Sequence, residues 1–235
     1  KIEINNNYFE FDNYNNLLKF FTNYYQYSRK IVEISKYFGE RFDLVQAGGG
    51  NISFKINDYI FIKSSGCNLT DIEINKNYVG VNYKNIKKSI QTINSNNKKN
   101  REKISKKIVD NEVTYLKNYK PSIETTMHTL TRNFTVHLHP IQFNTISNKS
   151  NCESIIEKHF TNYCFIDYCT PGIDVALEIN KKYNNEEIIF LKNHGIVVST
   201  DNIDELFSKV NDVVFKLEII NYFKGVRVEN SIKSL

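Results

Sequence analysis

Two histidines one residue apart, His137 and His139, follow the β-branched pair Thr135-Val136. Alternate side chains of a strand share a face, so both imidazoles would point the same way. A neutral imidazole is a common metal ligand, and this pair could give one ion two nitrogen donors. A third candidate, His194, stands in Lys192-Asn193-His194-Gly195 between two apolar runs. Three imidazoles leave the fourth position of a tetrahedral ion open, as catalytic zinc requires. Of the two other histidines, His128 follows Glu124 by one helical turn and reads as a packing or supporting residue, and His159 reads as a surface residue. From spacing alone, metal binding and an ordinary core or surface role both remain open.

Three other stretches offer chemistry. Gly48-Gly49-Gly50-Asn51 is poorly suited to a helix or strand interior. It fits either a cradle of backbone N–H groups for an anion or a plain tight turn. Ser64-Ser65-Gly66 places hydroxyls at a strand end, a second potential anion contact. Pro121-Ser122-Ile123-Glu124 reads as a helix start, with Ser122 as N-cap and Glu124 in the first turn. Capping and dipole chemistry is the default role there for Glu124.

The elements that must position these residues follow from periodicity. A short strand is expected within 1–13. Leu17, Leu18, Phe20, Phe21, Tyr24, Ile31, Ile34 and Phe38 recur at helical spacing, predicting one or two amphipathic helices over 14–38. Ile52–Ile56 and Tyr59–Lys63 flank Asn57-Asp58, a hairpin. A strand is expected over 78–83, a low-complexity loop or insertion over 94–100, and weak helix over 102–119. The helix begun at Ser122 runs through Leu130, then the histidine strand spans 134–139 until Pro140 stops it. A helix over 151–160 and a strand over 163–166 follow. Thr170 caps the next helix with Pro171 at its first position, and that helix runs over 173–183. Strands over 187–191 and 196–199 place His194 at a hairpin tip, and Asp201 caps a long final helix. The hairpins argue for an α+β chain with a largely antiparallel sheet rather than a doubly wound one.

The chain's 235 residues are enough for a sizeable core, and one domain over 1–235 is the expectation, with a possible insertion over 84–107. It starts with Lys rather than Met, so further sequence outside it stays open. Hydrophobic residues at 40% and charged residues at 24% are ordinary for a globular protein. The net charge of +5 is mild and the lysines are spread along the chain with one concentration over 84–107, so a solvated surface and no nucleic-acid partner is the expectation; an anionic small substrate is compatible with this charge but is not shown by it. Cys67, Cys152, Cys164 and Cys169 form no Cys-x-x-Cys pair; reduced thiols in a cytoplasmic protein are the simplest reading. No apolar run is of transmembrane length, and no membrane or secretory segment is the expectation.

Taken together and in order, Gly50-Asn51-Ile52-Ser53, Ser64-Ser65-Gly66, Pro121-Ser122-Ile123-Glu124 with His128, His137-Leu138-His139-Pro140, Tyr168 with Gly172, and Asn193-His194-Gly195 resemble the class II aldolase/adducin superfamily. The Pro-Ser-Ile-Glu-Thr form is similar to the branch around rhamnulose-phosphate aldolase. The resemblance implies a three-layer α/β/α sandwich around a mostly antiparallel sheet, often in C4 tetramers with sites at subunit contacts. It implies that His137, His139 and His194 ligate Zn²⁺ or another divalent metal, and that Glu124 is the acid/base carboxylate. Asn51, Ser65, Gly66 and Ser122 then hold a substrate phosphate, and Tyr168 reaches a neighbouring subunit's site as an acid. One departure is Ile123, where fuculose-phosphate aldolase has a second phosphate-binding serine; the lysine-rich stretch before Glu124 is also longer than in compact members.

The activity implied is reversible cleavage of a phosphorylated ketose to dihydroxyacetone phosphate and an aldehyde through an enediolate. A methylthioribulose-phosphate dehydratase-like reaction uses the same residues. A 4-epimerase generally has aspartate at the Glu124 position and ranks lower. A non-catalytic adducin-like module ranks last, because such members have lost the metal histidines that this chain keeps.

Overall fold

The structure, a computed structural model, describes residues 2–4, 7–9, 11–93 and 97–225. Its centre is an eight-stranded sheet. In chain order the strands are β3 (Asn51–Ile56), β4 (Tyr59–Lys63), β5 (Tyr78–Asn82), β6 (Val113–Tyr115), β7 (Phe134–Leu138), β8 (Tyr163–Ile166), β9 (Ile188–Leu191) and β10 (Gly195–Thr200). Their spatial order is β6-β5-β4-β3-β7-β10-β9-β8, and only the β8–β9 pair is parallel. A small hairpin, β1 (Ile2–Ile4) and β2 (Asn7–Phe9), forms a separate two-stranded sheet.

Helices cover both faces. On one lie α1 (Tyr14–Gly39), α5 (Ile141–Ser147), α6 (Cys152–Glu157) and α8 (Ile203–Gly225); on the other lie α2 (Tyr83–Ile90), α3 (Lys98–Asn111), α4 (Thr125–Leu130) and α7 (Ile173–Lys182). The strand sequences show why. Ile60 and Ile62 of β4 enter one core while Phe61 between them enters the other; Ile196 and Val198 of β10 oppose Val197 in the same way. Strands buried on both faces read as continuous apolar runs because each face of the period-two alternation needs its own apolar set. The result is the expected three-layer α/β/α sandwich with a mostly antiparallel sheet.

Several boundaries differ from the sequence reading. The aromatic stretch after Asn13 is one 26-residue helix, opened by the Asn13 Oδ1 accepting from Asn16 N–H at 3.0 Å. Tyr83 belongs to α2, which Asn82 caps, and not to a strand. The lysine-rich stretch contributes to the core: Ile86, Ile90 and Val109 are buried, and helix α3 already covers Lys98–Asn100. Residues 94–96 of the expected loop lie outside the described residues. Helix α3 ends at Asn111, and β6 follows it where helix was expected. Pro140, read only as a strand stop, also stands at the N-cap of α5, its carbonyl accepting from Asn144 N–H at 3.0 Å. Helix α6 ends at Glu157, leaving His159 exposed as expected.

Three helix starts are also displaced. Helix α4 begins at Thr125, beyond Ser122; Glu124 stands at the cap position with no capping bond from its side chain. Gly172, with φ +110°, precedes α7, so Thr170 and Pro171 stay outside that helix. Asn202 caps α8 through its Oδ1 and Asp204 N–H at 3.1 Å, while Asp201 instead accepts from Asn133 N–H at 3.3 Å. The four cysteines are free thiols. Among the described residues, no helix is long and apolar enough to cross a membrane.

Candidate metal centre

His137 lies in the middle of the sheet, opposite Asn51 of β3 on one side and Val197 of β10 on the other. It is fully buried. Its Nδ1 is 2.9 Å from the Ile196 carbonyl oxygen, which can only accept, so Nδ1 carries the proton and Nε2 of the neutral ring is left as a donor to a metal. His139 stands just past the end of β7, its N–H held by Leu44 O at 2.9 Å. The strand alternation keeps both rings on one side, as expected.

Two glycines allow the approach of the remaining parts. A Cβ on Gly49 would stand 2.8 Å from His139 Nδ1, so the glycine run packs directly against that imidazole. A Cβ on Gly195 would meet Leu138 O at 2.2 Å, so only glycine lets the turn carrying His194 close onto β7.

The three rings and Glu124 converge: one donor atom from each lies within 4.8 Å of the others. His139 Nε2 is 3.0 Å from His137 Nε2, and Glu124 Oε1 is 3.2 Å from His137 Nε2 and 3.5 Å from His194 Nε2. Ligands about 2.1 Å from a tetrahedral ion stand about 3.4 Å apart, so these separations match a metal's coordination shell. Two imidazole nitrogens this close need a proton or a cation between them. His194 Nδ1 is buried and has no hydrogen-bond partner among the described residues. The residues present therefore fit a metal ion.

Burial would raise the Glu124 carboxyl, but His137 by charge and hydrogen bond, and then His194 and Asn51, hold it well below the usual carboxylate range. Burial opposes protonation of His137, yet Glu124 outweighs it and the imidazole is shifted upward. His139 is pushed down to about 3, first by burial and then by His137 and His194. His128 is fully buried with Nδ1 2.7 Å from Ser53 Oγ and takes no place in the cluster, consistent with a packing role.

The four expected phosphate contacts, Asn51, Ser65, Gly66 and Ser122, line one cleft of about 230 Å³ with the glycine run, Glu124 and His139. Asn51 Nδ2 donates to Ser122 Oγ at 2.7 Å and to Glu124 Oε2 at 3.0 Å, while its Oδ1 accepts from Ile52 N–H. Both amide hydrogens of Asn51 are thus committed within the protein, a link that sequence spacing does not reveal. Ser122 Oγ also accepts from Glu124 N–H at 3.2 Å, and Ser65 N–H donates to Lys120 O, tying the two serine segments together. Lys63 also lines this cleft, buried, its Nζ donating to Cys67 O at 2.7 Å. The sequence reading passed over it; its place just before Ser64-Ser65-Gly66 was the available signal. Tyr168 is 61% exposed and lines a different groove with Arg101 and Asp174, so one chain does not bring it to the cluster.

The model of the Class II Aldolase and Adducin N-terminal domain family matches residues 29–220. No curated protein matches the chain by sequence. Among solved structures, the N-terminal class II aldolase domain of a conserved protein from Thermoplasma acidophilum is 22% identical, with 92% of this chain and 96% of that chain covered at a TM-score of 0.72. YgbL of Klebsiella pneumoniae is 16% identical over 87% of this chain and 92% of its own, at 0.61. The L-fuculose-1-phosphate aldolase of Thermus thermophilus is 12% identical over 87% and 98%, at 0.60. These likenesses show a shared fold.

Proposed function

Because the chain belongs to the Class II Aldolase and Adducin N-terminal domain family, we propose that it is a zinc-dependent aldolase. It would reversibly cleave a phosphorylated ketose to dihydroxyacetone phosphate and an aldehyde through an enediolate. The observation that carries this reading is Glu124 Oε1 at 3.2 and 3.5 Å from two imidazoles of the cluster. Base and metal site then address the same few ångströms.

His137, His139 and His194 would hold the ion, zinc or another divalent transition metal, which when bound polarises a carbonyl as a Lewis acid. In the direction of bond formation, Glu124 takes the proton from the carbon beside that carbonyl, leaving an enediolate. That carbon attacks the aldehyde, and the new alkoxide oxygen takes a proton from Tyr168 of a neighbouring copy. Cleavage runs the same transfers backward. Asn51 orients Glu124 by holding Oε2, so that Oε1 faces the histidines. Ser65, Gly66 and Ser122, with Asn51 beside them, hold the phosphate.

A homotetramer supplies the neighbouring Tyr168. Exposed Phe42, Phe215 and Tyr222, at 80%, 61% and 71%, are apolar surface suited to subunit contacts. A cytoplasmic location agrees with the four free thiols. A sugar-phosphate dehydratase is the second reading, since the same three histidines and Glu124 could serve that reaction. Product analysis of zinc-loaded protein with phosphorylated ketoses separates the two. Dihydroxyacetone phosphate supports the aldolase, a dehydrated sugar phosphate supports the dehydratase, and no turnover of any phosphorylated ketose counts against both.

A further inference from the structure

A second cavity, of about 310 Å³, adjoins the cluster's cleft and shares Ser65, Ser122 and Ile123 with it. Glu124 and His139 line the first cavity and not the second; Lys103, Lys106 and Lys120 line the second and not the first. The two spaces therefore meet at the pair of serines, with the metal site on one side and three lysines on the other. All three lysines are exposed, and none has an ion-pair partner among the described residues. Val109, Pro121 and Ile123 give the groove apolar wall, which limits screening of the charges around it. Glu102 and Asp110 also line it, leaving a surplus of one positive charge, and the Glu102 carboxylate lies against Gly172.

We propose that helix α3 forms a second wall of the substrate-phosphate site. Lys103 and Lys106, with Lys120, meet the phosphoryl dianion that Ser65 and Ser122 hold from the other side. This rests on the sugar-phosphate reading above and extends it. Ile123 offers no hydroxyl, and ammonium groups are suited to replace one because a lysine binds phosphate as a point charge without demanding fixed geometry. The stretch read from sequence as a lysine-rich insertion thus becomes a determinant of substrate charge.

The test uses the zinc-loaded full chain and inorganic phosphate as the probe, with binding followed by ³¹P NMR. Lys103→Gln, Lys106→Gln and Lys120→Gln combined should weaken phosphate binding at least tenfold and flatten its salt dependence, while the corresponding Lys→Arg variant keeps most of the affinity. Thermal unfolding of each variant controls for lost structure. If a ketose phosphate is turned over, the Gln variant should raise KM with kcat nearly unchanged. Equal phosphate affinity in the Gln variant and the wild type overturns the proposal, as does no phosphate binding by the wild type. A tenfold loss of phosphate binding in a chain that cleaves no ketose phosphate leaves the lysine site standing and removes the aldolase reading. Ketose cleavage with KM unmoved by the Gln substitutions does the reverse.

Discussion

At His137 the proton balance governs when a metal can bind. Its Nε2 faces both His139 Nε2 and Glu124 Oε1, and Glu124 shifts it upward, so a proton competes with the metal for this atom. Zinc affinity should therefore rise with pH until His137 is neutral and then level off, with proton release on binding measurable by calorimetry in buffers of different ionisation enthalpy. An affinity independent of pH from about 5.5 to 8 would contradict this assignment. Glu124→Gln should keep zinc and lower kcat by about 10²–10⁴-fold, the usual contribution of a positioned acid or base; loss of zinc together with activity would make Glu124 chiefly a ligand. The His137–His139 pair was legible because strand alternation is rigid. Glu124 was less so, because a carboxylate near a helix start has an ordinary capping role. Only the fold shows it turned away from the helix end and toward imidazoles that come from β7 and the β9–β10 turn.

At the scale of elements, α4 links the site to the core. Glu124 stands at its start, and at its other end Lys55 of β3, buried, donates from Nζ to Thr129 O at 3.2 Å and to Thr131 O, with its ammonium 4.9 Å from the Tyr83 ring centre. Burial, reinforced by Lys87 and opposed by Asp201, pulls the Lys55 amine down to about 7. The unfolded chain then binds more protons at this residue from that value up to about 10.4, so this group makes stability rise with pH across the window. Urea unfolding of the wild type and Lys55→Met between about pH 7.5 and 9 should show the difference moving in favour of the wild type, by up to about 1.4 kcal/mol per pH unit. A constant difference would contradict it. The β9–β10 turn is the other element to test. Gly195→Ala forces a Cβ against Leu138 O, and should weaken zinc binding by more than about tenfold through displacement of His194. Caps were the least legible feature. Several Asn, Asp, Ser and Thr residues stand near each helix start, and tertiary partners decide which one caps; Asp201 bonds Asn133 and leaves α8 to Asn202. The apolar stripe of α2 and α3 was hidden among Lys and Asn.

For the whole molecule, the antiparallel sheet could be read from its hairpins and α4 and α7 from their periodicity, whereas the part that α2 and α3 play in the same helical layer could not. Nothing local tells a lysine-rich helix that Ile86, Ile90 and Val109 will close a core. Nor does one chain explain Tyr168, exposed and in another groove. If a neighbouring copy uses it, mixing Tyr168→Phe chains with Glu124→Gln chains under subunit exchange should restore activity that each lacks alone. Hybrids include sites with an intact Glu124 facing an intact Tyr168. Failure to regain activity, with exchange verified by mass spectrometry, would place Tyr168 outside the reaction.

The most direct test of the metal-centred account is zinc stoichiometry, measured on chelator-stripped chain after reconstitution and dialysis. The account predicts one zinc per chain for the wild type and none retained by His137→Ala, although that variant stays folded. A wild-type chain that retains no divalent transition metal, or a His137→Ala chain that retains zinc as well as the wild type, would contradict it.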